Sequence, residues 1–360
     1  MTPRQHNIVG IQYLRAIAAI AVVLDHSSAM AAFPKYFGHE ALGGALEKGA
    51  IGVDIFFMIS GFIISIIALD RSTLDPVITV SEFFRRRFIR IVPLMWLAIT
   101  SYALMRWVSI HEFPLVAYLN ALFLLPVGDI QPNNIWTLRN EAIFYVVFAF
   151  TFLSKMSFRA LVIAWIAAPI LLWAFGLGSA SNEAHWLSQL IWNFGSPANI
   201  EFGMGLLLGV IWLLWSHKIV ITIPALLSGC VIYFALAWIC VAHFDINMGG
   251  FVDTLLLSAL FTPLLLMAIH CRPNSPSPLG LLLGSASFSI YLFHPHLLSA
   301  MLTVWRKLSP ETPVEVVIVS IAIAAISLCV AIHFLVELPL LKFAGNAARS
   351  RTFKLKNQTP

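Results

Sequence analysis

The chain reads as an all-α polytopic membrane protein, a bundle of about ten transmembrane helices. Three observations carry that expectation. Of its 360 residues, 59% are hydrophobic and 11% charged, with a mean hydropathy of +0.87. No soluble globular domain has that composition. The apolar residues gather into runs of about 20, the length of helix that crosses a bilayer. The lysines and arginines fall at the ends of those runs, so the net charge of +5 speaks for membrane ends rather than for nucleic acid.

Ten runs are long enough to span: 9–31, 50–69, 89–109, 135–154, 160–177, 191–215, 219–242, 251–270, 281–304 and 314–338. The run 115–126 is bounded by Pro114 and Pro126 and is short, which predicts a re-entrant or interfacial segment. Leaving it out puts both termini on one side. That side carries sixteen basic residues (Arg4, Arg15, Arg71, Arg85, Arg86, Arg87, Arg90, Lys155, Arg159, Lys218, Arg272, Lys342, Arg349, Arg351, Lys354 and Lys356). The other side carries six, namely Lys35, Lys48, Arg106, Arg139, Arg306 and Lys307. Positive charge stays inside, so both termini are expected in the cytoplasm. A true span at 115–126 would move Lys155, Lys218 and the basic tail outside.

The first run resembles a secretory signal at its end, Ser28-Ala29-Met30-Ala31-Ala32, but Asp25 and His26 interrupt that pattern. It reads instead as the first spanning helix. Arg15 and His26 lie eleven positions apart on it, about three turns and roughly 16 Å on one face. Ionisable groups inside a membrane helix face protein and mark functional sites. A neutral imidazole at His26 can take a proton from a hydroxyl as general base, or accept an acyl group as nucleophile. A helix-packing histidine is the plain alternative. Asp25 points elsewhere and is a poor orienting partner.

In the second run, GVDIFFMISGF (52–62) holds Asp54 near its outer end, with Ser60 and Gly61 suited to close helix packing. The third run opens on SEFFRRRFIRIVPLMW (81–96), where Arg85, Arg86, Arg87 and Arg90 cluster ahead of Pro93. Guanidinium forks match phosphate oxygens, and a lipid-head-group anchor is the equal alternative. The fourth run carries Trp136, Arg139, Glu141 and Tyr145. Glu141 lies about one turn inside the helix, with Tyr145 on the same face. It either orients His26 or closes an internal salt bridge. In the ninth run Ser287, Tyr291 and His294 follow i, i+4, i+7 spacing and form one polar stripe, with Pro295 predicting a kink. Glu337 and Pro339 mark the end of the last run, where a helix-end ion pair is expected.

Cys230, Cys240, Cys271 and Cys329 lie in or beside apolar runs without metal or redox spacing, and they read as inert thiols. The sequence shows no HExxH, phosphate-binding glycine loop or histidine ligand spacing, so no metal is expected.

Taken in order, these segments resemble the integral-membrane acyltransferase-3 family, the O-acyltransferases of surface polysaccharides, peptidoglycan and Nod factors. The matching pieces are LRAIAAIAVVLDH (14–26), GVDIFFMISGF (52–62), RRRFIRIVP (85–93), WTLRNEAIFY (136–145), SFSIYLFHP (287–295) and HFLVELPL (333–340). The first is most similar to rhizobial exopolysaccharide acetyltransferases. The resemblance implies ten spans and a cytoplasmic acyl-CoA donor, usually acetyl-CoA. It also implies a sugar hydroxyl acceptor near the outer side of a bacterial inner membrane. It places the family's histidine on His26, its paired arginine on Arg15, its Arg-x-x-Arg on Arg87 and Arg90, and its carboxylate on Glu141. Residues 1–341 then form the acyltransferase domain and 342–360 a basic cytoplasmic tail. The stretch after 338 has no room for the hydrolase-like domain that some members append.

The expected site is therefore His26 and Glu141 for catalysis, with Arg15, Arg86, Arg87 and Arg90 for the donor. Trp136, Tyr145, Ser287, Tyr291 and His294 are expected to face the acceptor, a polysaccharide or lipid-linked sugar. A proton-coupled exporter of a glycolipid or small solute is the rival reading, since buried His, Glu and Arg also build proton relays. Oligomeric state is open.

Overall fold

The structure is a computed structural model, and it describes residues 8–152, 155–176, 186–215, 220–243 and 251–344. The described residues form twelve α-helices and no named strand, only the isolated bridges Leu69–Pro76 and Ile221–Cys271. The helices are α1 Val9–Ala31, α2 Ile51–Ala68, α3 Val80–Ile110, α4 Leu115–Leu122, α5 Trp136–Ala149 and α6 Lys155–Ala174. They continue as α7 Trp186–Phe194, α8 Ala198–Leu214, α9 Ile223–His243, α10 Phe251–Ile269, α11 Pro278–Leu308 and α12 Val314–Ile332.

Among the described residues, eight helical stretches are long and apolar enough to cross a membrane. The two remaining expected spans fall on α5 and α6. α5 has 14 helical residues and continues into a 3-10 turn, Phe150–Phe152; its helical part is about 21 Å long, short of a full crossing. α4 has eight residues, which is about 12 Å of helix and too short to span. It is pinned to α3 by Trp96 Nε1, which donates to the Leu122 carbonyl at 2.9 Å.

Helix α1 lies in the middle. It packs against α2, α10, α11 and α12 and touches both apolar cores, one through Ala19 and Val23 and the other through Leu14 and Ala18. Its small residues allow that crowding. α1 and α11 run parallel, with Gln12 beside Gly284 and His26 beside His294. A Cβ at Gly284 would stand 2.2 Å from the Gln12 carbonyl oxygen, so only glycine fits there. α2 and α8 form a second parallel pair, in register at Met58–Gly205, Gly61–Phe202 and Ser65–Gly209.

Helix α3 starts at an N-cap, in which Thr79 Oγ1 accepts the Glu82 N–H at 3.2 Å. The loop before it is tied by Asp70, whose carboxylate accepts the backbone N–H of Ser72 at 2.8 Å and of Thr73 at 3.1 Å. Those bonds, that of Ser72 first, hold its carboxyl down to about 2. Arg71 beside it lies over the Trp212 ring at 4.9 Å and fastens the loop to α8. The end of the bundle that holds this loop and the start of α3 is called the basic end below.

Candidate active site

His26 and His294 face each other across the α1–α11 contact. Their rings stack with centroids 4.9 Å apart, and His26 Nδ1 lies 2.7 Å from His294 Nε2. The direction of that bond follows from the next one. His294 Nδ1 is 2.8 Å from the Ile290 carbonyl, which can only accept, so Nδ1 carries the hydrogen. In a neutral His294, Nε2 is then an acceptor, and His26 Nδ1 must donate to it. His26 is left with its lone pair on Nε2, which makes no hydrogen bond among the described residues. His294 is fully buried, whereas His26 keeps accessible surface. A carbonyl thus sets the tautomer of one ring, and that ring sets the tautomer of the other.

Pro295 contributes to the same region. It has no N–H, so the Tyr291 carbonyl one turn back lacks its helical partner. Asn134 Nδ2 takes that place, donating to the Tyr291 carbonyl at 3.0 Å. The Tyr291 hydroxyl donates back to the Asn134 carbonyl at 2.6 Å and meets Thr137 Oγ1 at 2.5 Å. This clasp seats the start of α5 against α11. Tyr291 was expected to face the acceptor; its hydroxyl is already committed to protein. Ser287 is fully buried, and its hydroxyl has no partner among the described residues.

Glu141 does not orient His26. Its Oε1 accepts from Ser60 Oγ at 3.1 Å and from the Tyr145 hydroxyl. The orienting role expected of it falls to His294. Tyr145 also departs from expectation. The Arg87 guanidinium lies 5.4 Å from its ring centroid, so Tyr145 belongs with the donor-side arginines. The physical reason is depth: Tyr145 stands one turn nearer the basic end than Glu141. Trp136 is 40% exposed and meets the edge of Phe57 at 5.9 Å.

The four arginines divide. Arg85 and Arg86 turn outward and pair with Glu82 at 2.6 and 2.7 Å. Arg86 is therefore not brought into the site, because a carboxylate one turn back holds it on the exposed face. Arg87 and Arg90 turn inward. Arg90 Nη1 donates to Glu337 Oε1 at 3.0 Å. Glu337 is only 1% exposed, and its Oε2 accepts from Ser289 Oγ and His333 Nδ1, each at 2.7 Å. A π-helical turn, His333–Glu337, brings those two residues together. Arg15 lies in the field of Arg90, Glu337 and Glu141. The expected plain ion pair at Glu337 is thus a buried hub. Its signal in the sequence was the i, i+4 pair His333 and Glu337 beside a proline.

Asp25 turns away from His26 and packs toward Gly49, at the end of the 3-10 segment before α2. Among the described residues, no group of three or more His, Cys, Asp or Glu is placed to hold a metal ion.

The chain that builds this polar column of His26, Glu141 and the inward arginines is similar to known proteins. The acyltransferase-3 family model, an acyltransferase domain, matches residues 8–333. The chain belongs to the acyltransferase-3 family. An acyltransferase-3 relative, the exopolysaccharide production protein ExoZ of Rhizobium meliloti (strain 1021), is 30% identical over 86% of this chain and 95% of its own length. The O-acetyltransferase OatA of Staphylococcus aureus (strain NCTC 8325 / PS 47) is 25% identical over 92% of this chain and 57% of its own length. The peptidoglycan O-acetyltransferase OatA of Listeria monocytogenes is 26% identical over 54% of this chain and 31% of its own. No solved structure matches. This acyltransferase-3 chain is a multi-pass membrane acyltransferase.

Proposed function

We propose that this acyltransferase moves an acyl group, acetyl in the simplest case, from acyl-CoA to a hydroxyl of a surface glycan or lipid-linked sugar. The observation that carries the reading is the His26–His294 contact, which leaves an acceptor lone pair on His26 Nε2 inside a membrane protein. The relatives' names, an exopolysaccharide production protein and two O-acetyltransferases, support a glycan acceptor.

The basic end faces the cytoplasm, by the excess of lysine and arginine there. The CoA phosphates bind Arg87 and Arg90, with Arg15 deeper along the path, because guanidinium forks match phosphate oxygens. The membrane in question is the bacterial cytoplasmic membrane, with both termini inside and residues 1–341 as the catalytic domain. Most of the proposed tail lies outside the described residues. The acceptor approaches from the opposite end, near Trp136; Ser287 does not face it, since its neighbour Ser289 binds Glu337 at the hub on the basic side. His26 Nε2 removes the hydroxyl proton as the oxygen attacks the thioester carbon. The C–S bond breaks, the proton passes to the departing thiolate, and ester and free CoA leave with no net proton change. His294 steadies the imidazolium that forms in between, through the same 2.7 Å contact.

The test uses purified protein in liposomes with acetyl-CoA. Free thiol appearing only when glycan is supplied, and lost in His26→Ala, supports the enzyme and its base. Undiminished thiol release from a folded His26→Ala protein overturns the role of His26. Glycolipid or solute flux without thiol release overturns the whole reading in favour of transport.

A further inference from the structure

A second buried polar cluster stands apart from the histidine pair, on the other side of α2. Asp54 and Glu201 stand level on facing helices, each in the field of the other's carboxyl group. The register of the α2–α8 pair enforces this. Met58 lies beside Gly205, and one turn back on both helices are Asp54 and Glu201. The two helices touch backbone to backbone one turn away, which keeps the two side chains close. Glu201 is 1% exposed, and its Oε1 is buried without a partner among the described residues. Among the described residues, no arginine, lysine or histidine contributes to the field at either carboxyl.

A third oxygen points to what fills the site. Tyr233 of α9 is 3% exposed, its hydroxyl has no partner among the described residues, and it feels the charge of both carboxyls. The phenol is the remaining titratable group linked to the pair. Asp54 keeps some accessible surface, so the cluster is not sealed. Two carboxyls, a phenol and no basic residue make an all-oxygen, negatively charged donor set in an apolar surround of Ile51, Ile55 and Phe261. Carboxylates meet this way only around a shared positive charge, and oxygen donors of this kind suit hard cations.

We infer that Asp54, Glu201 and Tyr233 form an intramembrane binding site for a hard monovalent cation, either a proton or a sodium ion. The site is separate from acyl transfer. It binds its ion at the outer third of α2 and α8 and locks that helix pair. The reading stands or falls without reference to acyl-CoA.

The experiment uses the purified full chain in detergent. Its melting temperature is followed as sodium chloride replaces choline chloride at constant ionic strength. The infrared spectrum at neutral pH is recorded in parallel, for a carboxylic-acid C=O stretch that shifts in heavy water. A melting temperature that climbs with sodium, and stops doing so in Asp54→Asn or Tyr233→Phe, identifies sodium. Insensitivity to sodium together with an acid C=O band that disappears in Glu201→Gln identifies the proton. Wild-type protein that shows neither response overturns the site. Both wild-type readings stand even where a variant fails to fold.

Discussion

Replacing His294 with phenylalanine keeps a ring of similar size in the α11 contact and removes the acceptor that sets the His26 tautomer. The hydrogen bond lost is 2.7 Å long, and its acceptor side is fully buried. A neutral hydrogen bond nets about 0.5–1.5 kcal/mol, and a donor left buried without a partner costs about 1–3 kcal/mol. Freed of that bias, His26 divides between two tautomers, only one of which has its lone pair on Nε2. Loss of alignment adds to this. The cost of the unpaired donor alone, about 1–3 kcal/mol, corresponds to roughly a 5- to 160-fold fall in kcat. Removing the base outright with His26→Ala should lose about 10²–10⁴-fold. The assay is glycan-dependent thiol release in liposomes, with KM for acetyl-CoA measured alongside. KM should hold while kcat falls. His294→Gln, which restores an acceptor oxygen, should recover part of the loss. The double variant should match His26→Ala alone, since both act through one nitrogen. Wild-type kcat in a folded His294→Phe protein would refute the tautomer argument, and so would a double variant whose losses multiply.

Arg87→Ala and Arg90→Ala should each raise KM for acyl-CoA about 10- to 100-fold, the range of a charge-assisted hydrogen bond. Direct donor titration checks this. Arg86→Ala should change that KM less than about twofold, because Glu82 already holds Arg86 on the exposed face. Glu337→Gln leaves Arg90 without its charge partner and should destabilise the protein by about 3–5 kcal/mol, read as a lower melting temperature in detergent. Gly205→Val would set a Cβ 2.0 Å from the Met58 carbonyl oxygen, a backbone atom that cannot swing aside. Overpacking of about 1–3 kcal/mol or more should show as lost monodisperse yield on size-exclusion chromatography.

Local pattern and long-range pairing divide what could be read from the sequence. The spans at α1, α2, α3 and α8 to α12 follow from apolar length and flanking charge, which are properties of each segment alone. Arg15 and His26 were legible for the same reason, since a charged group in lipid must turn inward. Arg87 and Arg90 were legible as a cluster, but not their separation from Arg86, which depends on where Glu82 stands one turn earlier. Tyr145 shares a helix face with Glu141, and helical phase alone does not say that Arg87 waits at its depth. Two long-range pairings lay beyond any local pattern. His26 meets His294 across 268 positions, and Asp54 meets Glu201 through a register set by glycines on two helices.

That 268-residue separation has a consequence for biosynthesis. A nascent chain that has delivered its first ten helices to the bilayer still lacks α11, and His26 in such a chain has no neighbouring ring to hold it. Ribosome-bound fragments ending before His294 are therefore without an aligned base, however well their early helices have inserted. On the proposed mechanism, acyl transfer therefore waits for the closing stage of translation.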